Sequence, residues 1–265
     1  MTFMRKLKPN GDIQSFLDRL GKSKERALLL DYDGTLAPFQ VQRDQAFPYS
    51  GVREILDTII ENEESRVIVI SGRWTKDLVP LLGLKKLPEI WGSHGLERLS
   101  PDGKYKLDYL EEQHLQGLKD ALDWAESKGH LERTEKKPGS VALHWRGMDS
   151  KKVNSLHILA KKAWNKIAAK YDLEVCEFDG GLELRTAANK GEVIKKLLSE
   201  LDKDTAMAYL GDDQTDEDAF RAIGDRGLSV LVRPEFRSTK AQLWLKPPEE
   251  LLDFLNKWDS VCRKK

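Results

Sequence analysis

The sequence predicts an α/β fold, a doubly wound parallel sheet interrupted by an α+β insertion. Three observations carry this. In the first hundred residues, short apolar runs alternate with segments of helical spacing, the rhythm of strands joined by helical crossovers. Between about residues 98 and 185 the rhythm changes to two successive helix–strand–strand units. The alternation of helix and strand then resumes.

The elements follow in order. Residues 12–20 have the spacing of a short amphipathic helix. Ala27-Leu28-Leu29-Leu30 is an apolar run short enough to be a buried strand, and it ends in Asp31-Tyr32-Asp33-Gly34. Within 51–62, Val52, Ile55, Leu56, Ile59 and Ile60 recur at helical spacing. Residues 66–70 form a β-branched strand leading to Ser71-Gly72-Arg73, and a helix runs from about Thr75 to Leu82. A strand over 89–92 precedes Ser93-His94-Gly95-Leu96-Glu97. Residues 96–107 read as a hairpin turning at Ser100-Pro101-Asp102-Gly103, residues suited to turns.

The insertion holds helices over about 108–128 and 150–170. Each precedes a strand pair. The first joins 130–134 to 141–145 around Lys136-Lys137-Pro138-Gly139, the second 173–178 to 182–185 around Asp179-Gly180-Gly181. This is a repeat of pattern, not of sequence. Beyond it, Val193, Ile194, Leu197, Leu198 and Leu201 mark a helix over 190–201. A strand over 206–210 ends in Gly211-Asp212-Asp213, followed by a helix over 216–222, a strand over 229–232 and a helix over 248–258. The expected division is a core of 1–97 with 186–265 and an insertion of 98–185.

The 265 residues suffice for a large α/β domain or a core with a smaller second domain. Lys+Arg and Asp+Glu are both 44, which excludes bulk electrostatic binding to nucleic acid or an anionic membrane. An anionic substrate must therefore be drawn by a local cluster or a metal. Cys176 and Cys262 are the only cysteines and have no metal-type spacing, which fits a reducing cytosol. A signal-type apolar run is missing and no stretch reaches the ~20 apolar residues of a membrane span, so a cytoplasmic protein is expected. The tail Arg263-Lys264-Lys265 is expected to be solvated.

Chemistry concentrates at strand ends. Ligands of open α/β sheets bind beyond the carboxyl ends of the strands, where Asp31 and Asp33 fall. One carboxylate can attack phosphorus to form an aspartyl-phosphate; a second can protonate the leaving oxygen and later activate water. Gly34 permits a tight turn with free N–H groups, although Asp-x-Asp-Gly is also an ordinary turn sequence. The Ser71 hydroxyl and the N–H groups after it, from Gly72 onward, suit a phosphate oxygen at a helix start; the same serine suits a helix cap. Lys190 opens a helix, where the dipole disfavours a cation unless an anion lies near; a solvated surface lysine is the alternative. The run Gly211-Asp212-Asp213-Gln214-Thr215-Asp216-Glu217-Asp218 is dense in carboxylates. Clustered carboxylates repel unless a cation neutralises them, and oxygen-only ligands suit Mg²⁺; an acidic helix start, which the dipole favours, is the alternative.

Together these segments resemble the four ordered motifs of the haloacid dehalogenase phosphatases: Asp31-x-Asp33-Gly-Thr, Ser71, Lys190 and Gly-Asp212-Asp213-x-x-Asp216. The resemblance implies a Rossmann-like core and a type C2 cap. The finer resemblance is to the trehalose-6-phosphate phosphatase family and spans nearly the whole chain. It rests on Asp31 to Pro38, on Ile70-Ser71-Gly72-Arg73 and on Gly92 to Glu97. In the cap it adds Ser140-Val141-Ala142-Leu143-His144-Trp145-Arg146 and Leu182 to Gly191, and it ends in the acidic loop. Thr186 stands where that family usually has Pro, and Trp145 where Tyr is common.

The resemblance implies Asp31 as nucleophile, Asp33 as general acid and base, and Lys190 as a group that offsets the charge on Asp31. Ser71, Gly72 and Lys190 would bind the phosphoryl oxygens. Mg²⁺ would be held by the Asp31 carboxylate, the Asp33 main-chain carbonyl and Asp212, with Asp216 on a metal-bound water and Asp213 shaping the loop. In the cap, Lys136 or Lys137, His144 and Glu183 would recognise the sugar. Arg73 and Glu97 are expected to be structural, pairing near the site. The implied substrate is a small phosphosugar, trehalose-6-phosphate, in trehalose biosynthesis, with functional coupling to a trehalose-6-phosphate synthase. The alternatives are a phosphatase of another phosphosugar (sucrose phosphate, a glycosyl phosphoglycerate), a phosphosugar mutase, or a non-catalytic sensor. The complete set Asp31, Asp33, Lys190 and Asp212 speaks against the sensor.

Overall fold

The computed structural model describes residues 4–9, 11–178 and 180–263. Asp179, expected in a turn of the insertion, and Lys264 and Lys265, expected in the tail, lie outside the described residues. Two compact units divide the chain: residues up to Lys106 together with those from Asn189 onward, and Leu107–Ala188.

In the first unit, β1 (Arg5–Lys6), α1 (Ile13–Lys22), β2 (Arg26–Leu30), α2 (Val52–Glu61), β3 (Arg66–Ile70), α3 (Thr75–Leu82), β4 (Glu89–Gly92) and β5 (Glu97–Leu99) occur in that order, and β6 (Tyr105–Leu107) ends at the boundary, with Leu107 in the second unit. The second unit supplies α4 (Glu112–Ser127), β7 (Thr134–Lys137), β8 (Ser140–His144), α5 (Ser150–Tyr171), β9 (Glu174–Phe178) and β10 (Gly181–Arg185). The chain then adds α6 (Lys190–Glu200), β11 (Ala206–Gly211), α7 (Glu217–Ile223), β12 (Leu228–Val232), β13 (Leu243–Leu245) and α8 (Glu249–Cys262) to the first unit.

The core sheet has the order β1-β13-β12-β11-β2-β3-β4-β5-β6. From β13 to β4 its neighbours are parallel, while β1 and β5 pair antiparallel at the flanks. Alternate residues of the strands feed two separate clusters, as a sheet buried on both faces requires. Leu28, Leu30, Val67, Val69, Ala208 and Leu210 pack with Phe16, Leu20, Val52, Leu56, Phe254 and Trp258 from α1, α2 and α8. Leu29, Ile68, Ile70, Met207 and Tyr209 pack with Val193, Ile194, Leu197, Phe220 and Ile223 from α6 and α7. Each fully buried Leu or Ile contributes roughly 1.5–3 kcal/mol.

The register fixes the place of chemistry. Leu30 pairs with Leu210 on one side and Val69 on the other, so the chain emerges from β11, β2 and β3 at neighbouring points. Asp212, Asp31 and Ser71 follow those three strands.

The boundary differs from the expected one. The first cut falls after Lys106 instead of residue 97, and the second after Ala188 instead of 185. The hairpin accounts for the first shift: Leu99 pairs antiparallel with Ile90 and packs on the core cluster, so the hairpin extends the core sheet. In the second unit, β7-β8-β10-β9 form an antiparallel sheet. Val141, Leu143, Leu182 and Leu184 pack against Leu118, Ala121, Leu156, Ala160 and Trp164 of α4 and α5. The other face of that sheet carries polar residues.

Candidate active site

Asp31 sits just past β2, its N–H still donating to Leu210 O at 2.9 Å. Its Oδ1 accepts from Lys190 Nζ at 2.6 Å and its Oδ2 from Thr35 Oγ1 at 3.2 Å. Period-two alternation sends Tyr32 the other way, where its hydroxyl donates to Ala46 O at 2.7 Å. Gly34 then turns the chain at φ +82°; a Cβ there would meet Asp212 Oδ2 at 2.2 Å. Only glycine tolerates both the left-handed backbone and that approach.

Lys190 is buried at the first turn of α6, whose Asn189 caps it by accepting from Glu192 N at 3.1 Å. Besides Asp31, Lys190 Nζ donates to Asp216 Oδ1 at 2.7 Å. Burial opposes its charge, but the Asp216 and Asp31 carboxylates outweigh burial and hold the ammonium well above its ordinary pKa. It is therefore no surface lysine.

Asp216 is fully buried and its oxygens are engaged by protein groups. Oδ1 also accepts from Tyr209 OH at 2.5 Å, and Oδ2 accepts from the N–H groups of Asp212 and Asp213 at 3.0 and 2.9 Å. Burial pushes against its charge, yet Lys190 and these donors hold its carboxyl below the usual range. Asp216 thus organises the acidic loop from inside. Asp213 caps the following turn by accepting from Gln214 N at 2.7 Å.

Asp212 is different. Both its carboxylate oxygens are buried with no hydrogen-bond partner, and its nearest cation is Arg233, with Nη1 3.8 Å from Oδ2. Burial first, then the charges of Asp31 and Asp216, push its pKa well above the ordinary value. Burial likewise pushes Asp31 up to about 7, against the pull of Lys190. Ligand oxygens of Asp31, Asp212 and Asp216 lie within 4.8 Å of one another. An orphaned buried carboxylate beside a second one costs free energy unless a cation joins them. The donors are all oxygen, and such a set fits Mg²⁺.

Ser71 is buried after β3, its N–H donating to Trp91 O at 2.8 Å and its Oγ accepting from Arg73 N at 3.1 Å. Gly72 lies under the His94 ring, which a Cβ would meet at 2.6 Å. Arg73 grips Asp33 with two bonds, Nε to Oδ2 at 2.6 Å and Nη2 to Oδ1 at 2.7 Å. Glu97 accepts from Thr75 Oγ1 and Ser93 Oγ, both at 2.6 Å, and from Tyr105 OH at 3.1 Å.

Within the second unit, Lys137 Nζ lies 2.5 Å from Glu183 Oε1, which also accepts from Ser140 Oγ at 2.8 Å. Register opposes Lys137 to Ser140 and Glu183 to Ala142. Ser140, Ala142 and His144 alternate onto one face, so Lys137, Glu183 and His144 share it. Lys136, opposite Val141, points to the other side and is exposed. His144 Nε2 lies 3.0 Å from Glu135 Oε2.

Sequence reasoning does not single out Tyr209, Arg233 or Arg237. Tyr209 lies within an apolar strand and the arginines follow no motif; only the tertiary fold brings them to the acidic loop. Among the described residues, no helix is long and apolar enough to cross a membrane.

Comparison with known proteins agrees with this geometry. "Alpha,alpha-trehalose-phosphate synthase [UDP-forming] B" of Dictyostelium discoideum is 29% identical over 258 residues, covering 94% of this chain and 32% of that protein. "Probable trehalose-phosphate phosphatase I" of Arabidopsis thaliana is 28% identical over 258 residues, covering 89% and 68%. The chain thus spans about a third of the first relative's length. The solved C-terminal domain of trehalose-6-phosphate phosphatase from C. albicans superposes with TM-score 0.81 at 24% identity, over 98% of this chain and 99% of that one, a likeness of fold. The profile described as trehalose-phosphatase matches residues 29–246, from the strand before Asp31 to the end of β13. With that match running through every site segment described above, the chain belongs to the trehalose-phosphatase family.

Proposed function

We propose that the chain is a Mg²⁺-dependent phosphatase that hydrolyses trehalose-6-phosphate to trehalose and inorganic phosphate. The observation that carries the reading is the pairing of Asp31, held at 2.6 Å by buried Lys190, with the Asp212 carboxylate, whose buried oxygens accept no hydrogen bond. A fold alone would not carry it, since folds host many functions.

In the proposed reaction an Asp31 oxygen attacks phosphorus and the bond from phosphorus to the sugar oxygen breaks. Asp33 gives its proton to that oxygen, releasing trehalose. Asp33 then takes a proton from water as the water oxygen attacks the aspartyl-phosphate, and the bond between phosphorus and Asp31 breaks to free phosphate. Lys190, Ser71 and the Gly72 N–H bind phosphoryl oxygens. Positioning and charge neutralisation supply most of the acceleration in such transfers. Asp33 must first leave Arg73, which occupies both its oxygens; the guanidinium, still held by Nη1 donating to Arg43 O at 2.8 Å, can then turn to the substrate's phosphoryl group. The Asp31 and Asp212 carboxylates and the Asp33 main-chain carbonyl would hold Mg²⁺, which when bound offsets the negative charge gathered at phosphorus. Lys137, His144 and Glu183 supply hydroxyl-binding groups for the sugar. Functional coupling to a synthase is part of the proposal, supported by the synthase-named relative of which this chain spans 32%.

The test is phosphate release from trehalose-6-phosphate, sucrose-6-phosphate and glucose-6-phosphate, with Mg²⁺ and with EDTA. Release from trehalose-6-phosphate should exceed the others by at least about tenfold in kcat/KM, or about 1.4 kcal/mol, and vanish with EDTA. Full activity without metal removes the mechanism. Preference for another sugar removes the specificity, migration of phosphate on the sugar makes it a mutase, and binding without turnover makes it a sensor.

A further inference from the structure

We propose that Arg237 is a positioning residue that sets the Mg²⁺ affinity of the Asp31–Asp212 site by gripping the acidic loop from behind; this rests on the Mg²⁺ reading above. Arg237 lies in the loop between β12 and β13, with its side chain 15% exposed. Its Nε donates to Asp212 O at 3.0 Å and its Nη2 to Asp213 O at 2.6 Å. Its Nη1 donates to Glu217 Oε1 at 2.5 Å and Ser238 O at 2.9 Å. Glu217, in the first turn of α7, accepts in turn from Lys240 N at 2.8 Å through its other oxygen.

The same two residues are held on their opposite edge, because the N–H groups of Asp212 and Asp213 both donate to Asp216 Oδ2. The Asp216 carboxylate in front and the Arg237 guanidinium behind hold the Asp212–Asp213 backbone, with a longer bond from Arg233 Nη1 to Asp212 O at 3.5 Å. What they leave unsatisfied is the Asp212 carboxylate itself. A planar fork suits two successive carbonyls and an adjacent carboxylate; a lysine ammonium has no such shape.

The role has a sign that separates it from simple electrostatics. Arg237 is a cation close to a cation site, so as a mere charge it opposes Mg²⁺, and its removal would tighten binding. As a clamp it keeps Asp212 in place, and its removal must weaken binding, on the 10- to 100-fold scale typical of groups that orient metal ligands.

The experiment is calorimetric titration of the full chain with Mg²⁺ in the absence of substrate, for wild type, Arg237→Ala and Arg237→Lys, together with the Mg²⁺ dependence of turnover. We expect Mg²⁺ binding about 10- to 100-fold weaker in Arg237→Ala and weakened in Arg237→Lys, which keeps the charge and loses the fork. Turnover should recover at saturating Mg²⁺, a rise in KM for the metal with little loss in kcat. If Arg237→Ala does not fold, Arg237→Lys decides alone. Unchanged or tighter Mg²⁺ binding in the folded variants overturns the clamp. Absence of Mg²⁺ binding by wild type overturns the Mg²⁺ reading and the clamp with it, so the two failures are distinguishable.

Discussion

Asp31 and Asp212 are two carboxylates packed where only a cation makes both comfortable, and this trades stability for function. Asp212→Asn removes one of the clustered charges and one orphaned anion. In EDTA its Tm should rise by about 2–4 °C, the scale of 1 kcal/mol in a protein of this size, while the stabilisation of wild type by Mg²⁺ should be absent. A fall in Tm in EDTA would mean that Asp212 supports the fold. Asp31→Asn keeps shape and loses the charge proposed to attack phosphorus. Turnover should drop by about three decades or more, near 1.4 kcal/mol for each, with near-native Tm. A beryllium fluoride adduct should map to Asp31 in wild type; mapping to Asp33 would reassign the nucleophile.

Strand alternation decides which cap residues share a face. It joins Lys137, Ser140, His144 and Glu183 and sends Lys136 away. Replacing Glu183 by Ala also removes the carboxylate 2.5 Å from the buried Lys137 ammonium, so part of its effect falls on stability. Glu183→Gln is therefore the cleaner companion, since it keeps the bond from Ser140. Both variants should lose about tenfold or more in kcat/KM on trehalose-6-phosphate and little on a small aryl phosphate. Equal loss on both substrates would assign Glu183 to the fold, and no loss would remove it from sugar recognition.

The chain has two compact units with separate apolar cores. Trp164 is fully buried in the second core, edge-on to Trp124 at 6.1 Å. Trp164→Ala should cost about 3–5 kcal/mol and fall on that unit. Hydrogen exchange should quicken in α4, α5 and β8 and stay unchanged in β2 and β11. Slow hydrolysis of a small aryl phosphate should persist while trehalose-6-phosphate turnover falls. Parallel loss of protection in β2 would show that the two cores unfold as one.

The sequence by itself determined the alternation of strands and helices, the insertion, and the strand-end carboxylates. Each of these is written in local periodicity or in short motifs, as with Ala27 to Gly34 and Gly211 to Asp218. It could not mark β1 and β13, which are two and three residues long and too short to show a period. Nor could it assign the hairpin over 97–107 to the core sheet, since that depends on the pairing of β5 with β4, which local turn residues do not report. The tertiary structure alone decided that Lys190 bridges Asp31 and Asp216, that Arg73 holds Asp33, and that Lys137 rather than Lys136 meets Glu183. It alone brought Arg237 behind Asp212. The reason is physical: periodicity reports which face a residue takes on its own element, whereas an ion pair between residues 159 apart in sequence exists only once the sheet order and register have set two strand ends side by side.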